Sequence, residues 1–136
     1  YRKRMKNTAF SGKYVAFSKR ETGTEKHKES QMTVLLQIDF KMPGEMLGDR
    51  LAEMATPLAQ SITQEPGFIS KIWTENVDAG EAGGIYLFSD KTSAEQYAAM
   101  HIKRVAQMGA TDIRSRIFDI NVPLTHITRG NLKPAS

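Results

Sequence analysis

Two apolar segments joined by a short glycine-bearing loop constrain the fold of this chain more than any other feature. Residues 68–75 and 83–89 each have the length and composition of a β-strand, and the turn sequence Glu65-Pro66-Gly67 precedes the first. The second contains Ile85-Tyr86-Leu87-Phe88 and has no polar face, so it must be covered on both sides. This pair predicts a sheet with its central strand buried between layers.

Hydrophobic periodicity predicts a strand and a helix before this pair. Apolar residues alternate over residues 33–40, which is typical of a strand with one buried face. From residue 46 to residue 63 they recur every three or four positions, as in an amphipathic helix, although Pro57 removes one backbone hydrogen bond from it. The apolar face of this helix is expected to consist of Leu47, Leu51, Met54, Leu58 and Ile62.

A second helix and a fourth strand are predicted after the pair. Thr92 or Ser93 can cap the helix, and Gly109 can end it after Met108. Residues 113–122 then read as a strand, followed by a C-terminal arm. The order β-α-β-β-α-β predicts an α+β, ferredoxin-like fold, in which an antiparallel four-stranded sheet carries both helices on one face.

The other face of such a sheet would lie bare. Strands one and three look apolar on both faces, so this side is expected to form a large hydrophobic patch. The sequence therefore predicts a homodimer that forms through sheet-to-sheet packing.

The basic charge of the chain is concentrated in its first 31 residues. These contain nine Lys or Arg and three Asp or Glu, whereas residues 32–136 contain ten and twelve. Few aliphatic residues and no sustained periodicity predict a disordered leader at 1–31, appended to a folded domain at 32–136. A tether to nucleic acid or an anionic surface is the alternative for this leader, and nucleic-acid binding is not expected of the domain.

Several classes of chemistry are excluded by composition. The chain has no cysteine, so it offers neither a thiolate nucleophile nor a cysteine metal site. His27, His101 and His126 lie far apart, and no metal site is expected. No apolar run is long enough to span a bilayer and no secretory signal is apparent, so a cytoplasmic location is expected.

Five separated segments form a pattern that spans most of the chain after residue 31: Met32–Gln37, Glu65–Phe68, Lys71–Glu75, Glu81–Phe88 and Phe118–Leu124. Together they resemble the YdhR family, whose proposed activity is monooxygenation. The resemblance covers residues 32–132 and implies a dimeric α/β-barrel with a pocket between the sheet and helices of each subunit. It also implies oxygenation of a small aromatic or quinol-like compound by molecular oxygen, without a metal or flavin, so no cofactor is expected.

Candidate site residues lie on strands two and three and on the second helix. His101 is the first candidate for a general base, because a neutral imidazole accepts protons near physiological pH. Glu75 is the second, if apolar neighbours raise its pKa. Tyr86 could orient a phenolic substrate through its hydroxyl group. Substrate contacts are expected from Trp73, Tyr86, Phe88 and Tyr97, of which Tyr97 is one helical turn from His101.

Each of these residues also has a structural interpretation. A single Trp can be the largest core or interface residue, a lone His can be a satisfied core residue, and Glu75 can be a solvated strand end. Arg114 and Arg116 can attract an anionic substrate or discourage aggregation at an edge strand. At the level of function, the monooxygenase hypothesis competes with a non-catalytic small-ligand-binding or stress-response dimer of the same fold.

Overall fold

An antiparallel four-stranded sheet organises the part of the chain that the computed structural model describes, residues 32–133. The predicted leader at 1–31 lies outside these residues. The elements in chain order are β1 (Val34–Lys41), a 3₁₀ turn (Gly44–Met46), α1 (Asp49–Ile62), β2 (Phe68–Asn76), β3 (Glu81–Phe88), α2 (Lys91–Gln107), β4 (Thr111–Asp119) and α3 (Val122–Ile127). None of the helices in residues 32–133 is both long and apolar enough to cross a membrane.

The strand order β2-β3-β1-β4 confirms the predicted ferredoxin-like fold. Every neighbouring pair is antiparallel, and β1 lies in the middle, with Leu36 opposite Tyr86 of β3 and Ile117 of β4. A short turn joins β2 to β3, whereas α1 connects β1 to β2 and α2 connects β3 to β4. β2 and β4 form the two edges of the sheet. This arrangement places β1 and β3 over the centre of the core.

The core lies between one face of the sheet and the helices. Val34, Leu36 and Ile38 of β1 are at most 2% exposed, as the alternation of the sequence predicts. They pack in one cluster with residues of both helices, including Ile62 and Tyr97. Full burial of each such aliphatic side chain stabilises the fold by about 1.5–3 kcal/mol, so this face fixes the register of β1.

The first helix begins later than the sequence predicts. Leu47 is buried, but it ends the 3₁₀ turn, and α1 starts at Asp49 after Gly48, which has a φ of 69°. Met54 was expected on the buried face, yet its side chain is 54% exposed and Ala55 is buried instead. Leu51, Leu58 and Ile62 lie on the face that packs against the core, as predicted, and Ala55 takes the buried position between them that was expected of Met54.

The second helix starts at a different cap from those predicted. Asp90, not Thr92 or Ser93, is the N-cap, and its Oδ1 accepts a hydrogen bond of 2.7 Å from the Ser93 amide. This bond is the main reason why the pKa of Asp90 is lowered. The predicted end is confirmed, because Gly109 follows the last residues with a φ of 104°.

The fourth strand is shorter than predicted. It ends at Asp119, and Val122 begins α3, where the Asn121 side chain accepts a hydrogen bond of 3.2 Å from the amide of Leu124. Pro123 suits the first turn of a helix, since that position needs no amide donor. Part of the predicted C-terminal arm is therefore helical.

The outer face of the sheet is only partly apolar. β1 contributes Leu35 to it but also Gln37 and Asp39, so the expectation that β1 is apolar on both faces was wrong. The apolar half of this face borders a groove of about 580 Å³, which the C-terminal residues 119–133 flank. We call this half the outer patch, and it consists of Leu35, Ile72, Ile85, Leu87 and Phe118.

Candidate active site

A narrow apolar cavity of about 40 Å³ lies between the inner face of the sheet and the two long helices. Apolar side chains form most of its wall, among them Phe40 of β1 and the aliphatic residues of α1 and α2. The groups with a polar atom or a polar aromatic ring that line it are Lys71 and Trp73 of β2, Tyr86 of β3 and His101 of α2. The structure therefore brings together three of the predicted site residues and adds a lysine.

Lys71 is held over the aromatic part of this wall. Its Nζ lies 3.3 Å from the centroid of the Trp73 ring and 4.6 Å from that of Tyr86. The ion pairs within residues 32–133 join Lys41 and Arg114 to Glu81, and none involves Lys71. Burial, and then the positive charge of Arg104, lower the pKa of Lys71 to about 7. Its amine is therefore about half neutral at neutral pH, unlike that of an ordinary lysine.

Gly84 provides the space in which Lys71 lies. Gly84 is two residues before Tyr86 on β3, so the two share the inner face of the sheet. A Cβ atom on Gly84 would lie 2.6 Å from Cε of Lys71 and 3.0 Å from Cε1 of Tyr86. Only glycine leaves this position open, and the aliphatic part of Lys71 occupies it.

His101 is buried, with 3% of its surface exposed. Its Nδ1 accepts hydrogen bonds from Arg104, from Nε at 3.2 Å and from Nη2 at 2.9 Å. Because a guanidinium only donates, we assign the proton of the neutral ring to Nε2. Burial, then Lys71, then Arg104 lower the pKa of His101 to about 3.

These contacts disfavour the predicted role of His101 as a general base. The free nitrogen already carries a proton, and the lowered pKa opposes the uptake of a second one at neutral pH. The geometry makes His101 a neutral hydrogen-bond donor instead.

A stack of aromatic rings lies behind the cavity. Tyr97 is the middle of this stack, with ring centroids 5.2 Å from Tyr86, 5.4 Å from Phe88 and 5.1 Å from His101. Its hydroxyl group accepts a hydrogen bond of 3.3 Å from Nη2 of Arg104. Burial is the largest cause that raises the pKa of both Tyr86 and Tyr97, so both hydroxyl groups stay protonated.

Of this stack, only Tyr86 and His101 line the cavity. Phe88 is fully buried and Tyr97 nearly so, and neither faces the open space. The structure therefore does not place Phe88 or Tyr97 where a molecule in the cavity would touch them. They hold Tyr86 and His101 in position.

Trp73 separates the cavity from the outside. Its side chain is 37% exposed, and it lines both the cavity and an outer groove of about 270 Å³ between α1 and β2. Leu51 and Ala55 of α1 also line both spaces. These three residues form a thin wall between the groove and the cavity, which we call the gate.

Glu75 lies at the gate and not in the cavity. It lines the outer groove, is exposed, and accepts a hydrogen bond of 2.9 Å from the amide of Gly48 at the start of α1. The carboxylate thus connects β2 to the N-terminal end of α1. This placement suits a tether for the helix better than a general base.

Two residues of this candidate site are not among those that the sequence predicted. Arg104 lies three residues after His101 and seven after Tyr97, so helical spacing alone puts all three on one face of α2. Lys71 alternates with Trp73 along β2, and its apolar neighbours could have indicated burial. Arg114 and Arg116 were considered instead, but they pair with Asp39 and Gln37, whose side chains lie on the outer face. They are remote from the cavity.

Comparison with known proteins identifies the family. The family model described as "Putative mono-oxygenase ydhR" matches residues 35–131. The chain belongs to the YdhR family. Among solved structures, SnoaB, a cofactor-independent oxygenase from Streptomyces nogalater whose mutant was crystallised, matches with a TM-score of 0.48 and 14% sequence identity. That match covers 65% of this chain and 93% of the SnoaB chain. No curated protein shows a significant match.

Membership of the YdhR family confirms the resemblance on which the sequence analysis relied. It supports a general oxygenase function for this chain.

Proposed function

We propose that this YdhR-family protein is a cofactor-independent monooxygenase that oxidises a small aromatic or quinol-like compound in the cavity between its sheet and helices. Membership of the YdhR family supports monooxygenation as the class of reaction. The main support from the structure is the position of Lys71, whose amine lies against two aromatic rings. The pKa of this amine is lowered to about 7. A partly neutral amine in an apolar site is a suitable base for a phenol.

In the proposed reaction the substrate supplies the electrons. Neutral Lys71 takes the phenolic proton, and the resulting electron-rich anion reduces oxygen. For a hydroquinone, one oxygen atom enters the ring as a hydroxyl group, the other leaves as water, and the product is a hydroxyquinone. The ammonium of Lys71 remains beside the anion, and the nearby guanidinium of Arg104 adds a second positive charge.

The neighbouring groups complete this environment. His101 lines the cavity as a neutral ring with a proton on Nε2, so it can donate a hydrogen bond to a substrate oxygen. The face of Tyr86 and the ring of Trp73 offer surfaces for a flat ligand. The wall of the cavity is otherwise apolar, which strengthens electrostatic interactions inside it.

Access requires the gate to move. The cavity of about 40 Å³ holds only a few water molecules. Small-molecule sites begin at roughly 300 Å³, which the cavity and the groove of about 270 Å³ reach together. We propose that displacement of Trp73 from Leu51 and Ala55 joins the two spaces when a substrate binds.

We further propose that two copies pair through the outer patch. Ile72 is 65% exposed and Phe118 41% exposed, and apolar area of this kind usually marks an interface. The pairing would cover the sheet face opposite to the cavity and leave one cavity in each subunit.

Isotope labelling tests the proposed function. The full chain is incubated with ¹⁸O₂ and a panel of simple hydroquinones and naphthalenediols, and products are identified by mass spectrometry against a matched reaction with Lys71→Met protein. Incorporation of one labelled oxygen atom, well above that in the variant, supports the proposal. Ligand-dependent thermal stabilisation without incorporation would favour the non-catalytic binding dimer instead.

A further inference from the structure

Lys71 differs from every other lysine in residues 32–133. Lys41, Lys91, Lys103 and Lys133 are exposed, whereas Lys71 is half-buried and faces the cavity. The rings of Trp73 and Tyr86 lie against its amine, His101 lines the same cavity, and the charge of Arg104 contributes to its lowered pKa. No carboxylate lines the cavity, so nothing within the described residues holds the amine in its charged form by pairing with it.

This environment is the one in which lysine becomes a nucleophile. Desolvation in an apolar pocket and a nearby second cation are the two devices that activate lysines for attack on carbonyl compounds. Both occur here in one place, and the open position at Gly84 keeps the amine beside the cavity. The two flanking rings also provide apolar surfaces for an aromatic carbonyl compound.

We propose that Lys71 is a covalent attachment site for small aromatic aldehydes, which it binds as imines. The lone pair of the neutral amine attacks the carbonyl carbon, and a proton moves from nitrogen to oxygen to give a carbinolamine. Loss of one water molecule then forms the C=N bond. No electrons are exchanged, and neither oxygen nor another reactant is needed. The inference goes beyond the proposed oxygenase function and does not depend on oxygenation, but it shares the proposed opening of the gate, because benzaldehyde is too large for the closed cavity of about 40 Å³.

Reductive trapping tests this inference. The full chain is treated at neutral pH with benzaldehyde and sodium cyanoborohydride, which reduces the imine to a stable benzylamine, and modified lysines are located by peptide mass mapping. With a pKa of about 7, roughly half of the Lys71 amine is neutral, against about one part in three thousand for a lysine at its ordinary pKa. We expect Lys71 to be labelled at least about tenfold faster than exposed Lys41 and Lys103.

Three variants control for the position of the amine. Lys71→Arg keeps the positive charge and should abolish the adduct, whereas Lys103→Arg on the exposed side of α2 should leave it unchanged. Gly84→Ala keeps the lysine but places a Cβ atom against its Cε, so labelling of Lys71 should fall. Circular dichroism verifies that each variant is folded.

The outcomes separate this inference from the proposed function. Labelling spread over exposed lysines, with Lys71 unmodified until the protein is unfolded, would overturn it. An adduct at Lys71 without ¹⁸O incorporation would support the attachment site and remove the oxygenase. If ¹⁸O incorporation depends on Lys71 but no adduct forms, the attachment site is overturned and the oxygenase is supported.

Discussion

Replacement of Lys71 by Met should stabilise the protein at neutral and acidic pH. The thioether side chain is similar in length to the lysine stem and fills the same space without a charge. The wild-type ammonium, in contrast, must lose much of its hydration to lie between β2 and α2. Replacement of an exposed lysine normally has little effect on stability. A clear gain in stability from Lys71→Met would therefore indicate that this lysine is desolvated.

The magnitude follows from the pKa of Lys71. Its decrease from 10.5 to about 7 corresponds to a cost of about 5 kcal/mol for the charged form, at about 1.4 kcal/mol per pH unit. The attraction of the ammonium to the rings of Trp73 and Tyr86 is already contained in this net pKa. Lys71→Met should therefore raise the free energy of unfolding by about 3–5 kcal/mol below neutral pH, the lower end allowing for relaxation around the new side chain.

The gain should also depend on pH. Between the folded pKa of about 7 and the unfolded value of 10.5, the unfolded wild-type chain holds more protons than the folded one. The free energy of unfolding of the wild type therefore rises, relative to that of the variant, as the pH increases through this range. Below about pH 7 the difference between the two proteins is constant. The advantage of Lys71→Met should shrink by about 1–3 kcal/mol between pH values near 6 and near 9.

Urea unfolding followed by far-ultraviolet circular dichroism measures these differences. All proteins are compared at one concentration, because dimer formation would make stability depend on concentration. Lys103→Met on the exposed side of α2 is the matched control and should show no comparable gain. If Lys71→Met destabilises the protein, or gains stability equally at both pH values, the assignment of a desolvated amine to this site is refuted.

Three further outcomes are expected. Arg104→Met removes one cause of the low pKa of His101, so nuclear magnetic resonance titration should show this pKa rising towards 6.5; an unchanged value would contradict the hydrogen bonds to Nδ1. Ile72→Asp places a charge in the outer patch and should convert a dimer into monomers in light scattering, whereas a dimer that persists would exclude this interface. Glu75→Ala should lower the free energy of unfolding by about 0.5–1 kcal/mol, and Glu75→Gln, which retains an acceptor for Gly48, by less. Equal losses in the two Glu75 variants would show that the tether is not a hydrogen bond.

The fold followed from the sequence because its strands have clear periodicity. The alternation of Val34, Leu36 and Ile38 fixed the inner face of β1, and the apolar run around Tyr86 indicated the central position of β3. The errors lie where the pattern allows two positions or where an element ends. Met54 and Ala55 both fall at helical spacing from the same apolar neighbours, so the pattern alone does not decide which one is buried. The last strand ends before Val122, where Asn121 caps a short helix.

The site was only partly predictable. Trp73, Tyr86 and His101 were candidate site residues that the sequence could not place together, and in the structure all three line one cavity. The protonation of His101 could not be deduced, because it depends on Arg104 reaching Nδ1 from the next turn of α2. The importance of Lys71 also depends on three-dimensional packing, since a lysine in a strand is usually exposed and only the open space at Gly84 lets it lie inside.

The pH dependence of catalysed oxygen uptake tests whether Lys71 is the base of the proposed reaction. Oxygen consumption with a hydroquinone is measured for the wild-type protein and Lys71→Met, and the uncatalysed reaction is subtracted at each pH. The wild-type rate should rise as the Lys71 amine loses its proton near pH 7, and the variant should be slower by about 10²–10⁴-fold. A Lys71→Met protein that consumes oxygen at the wild-type rate with the same pH profile would contradict the role of this amine.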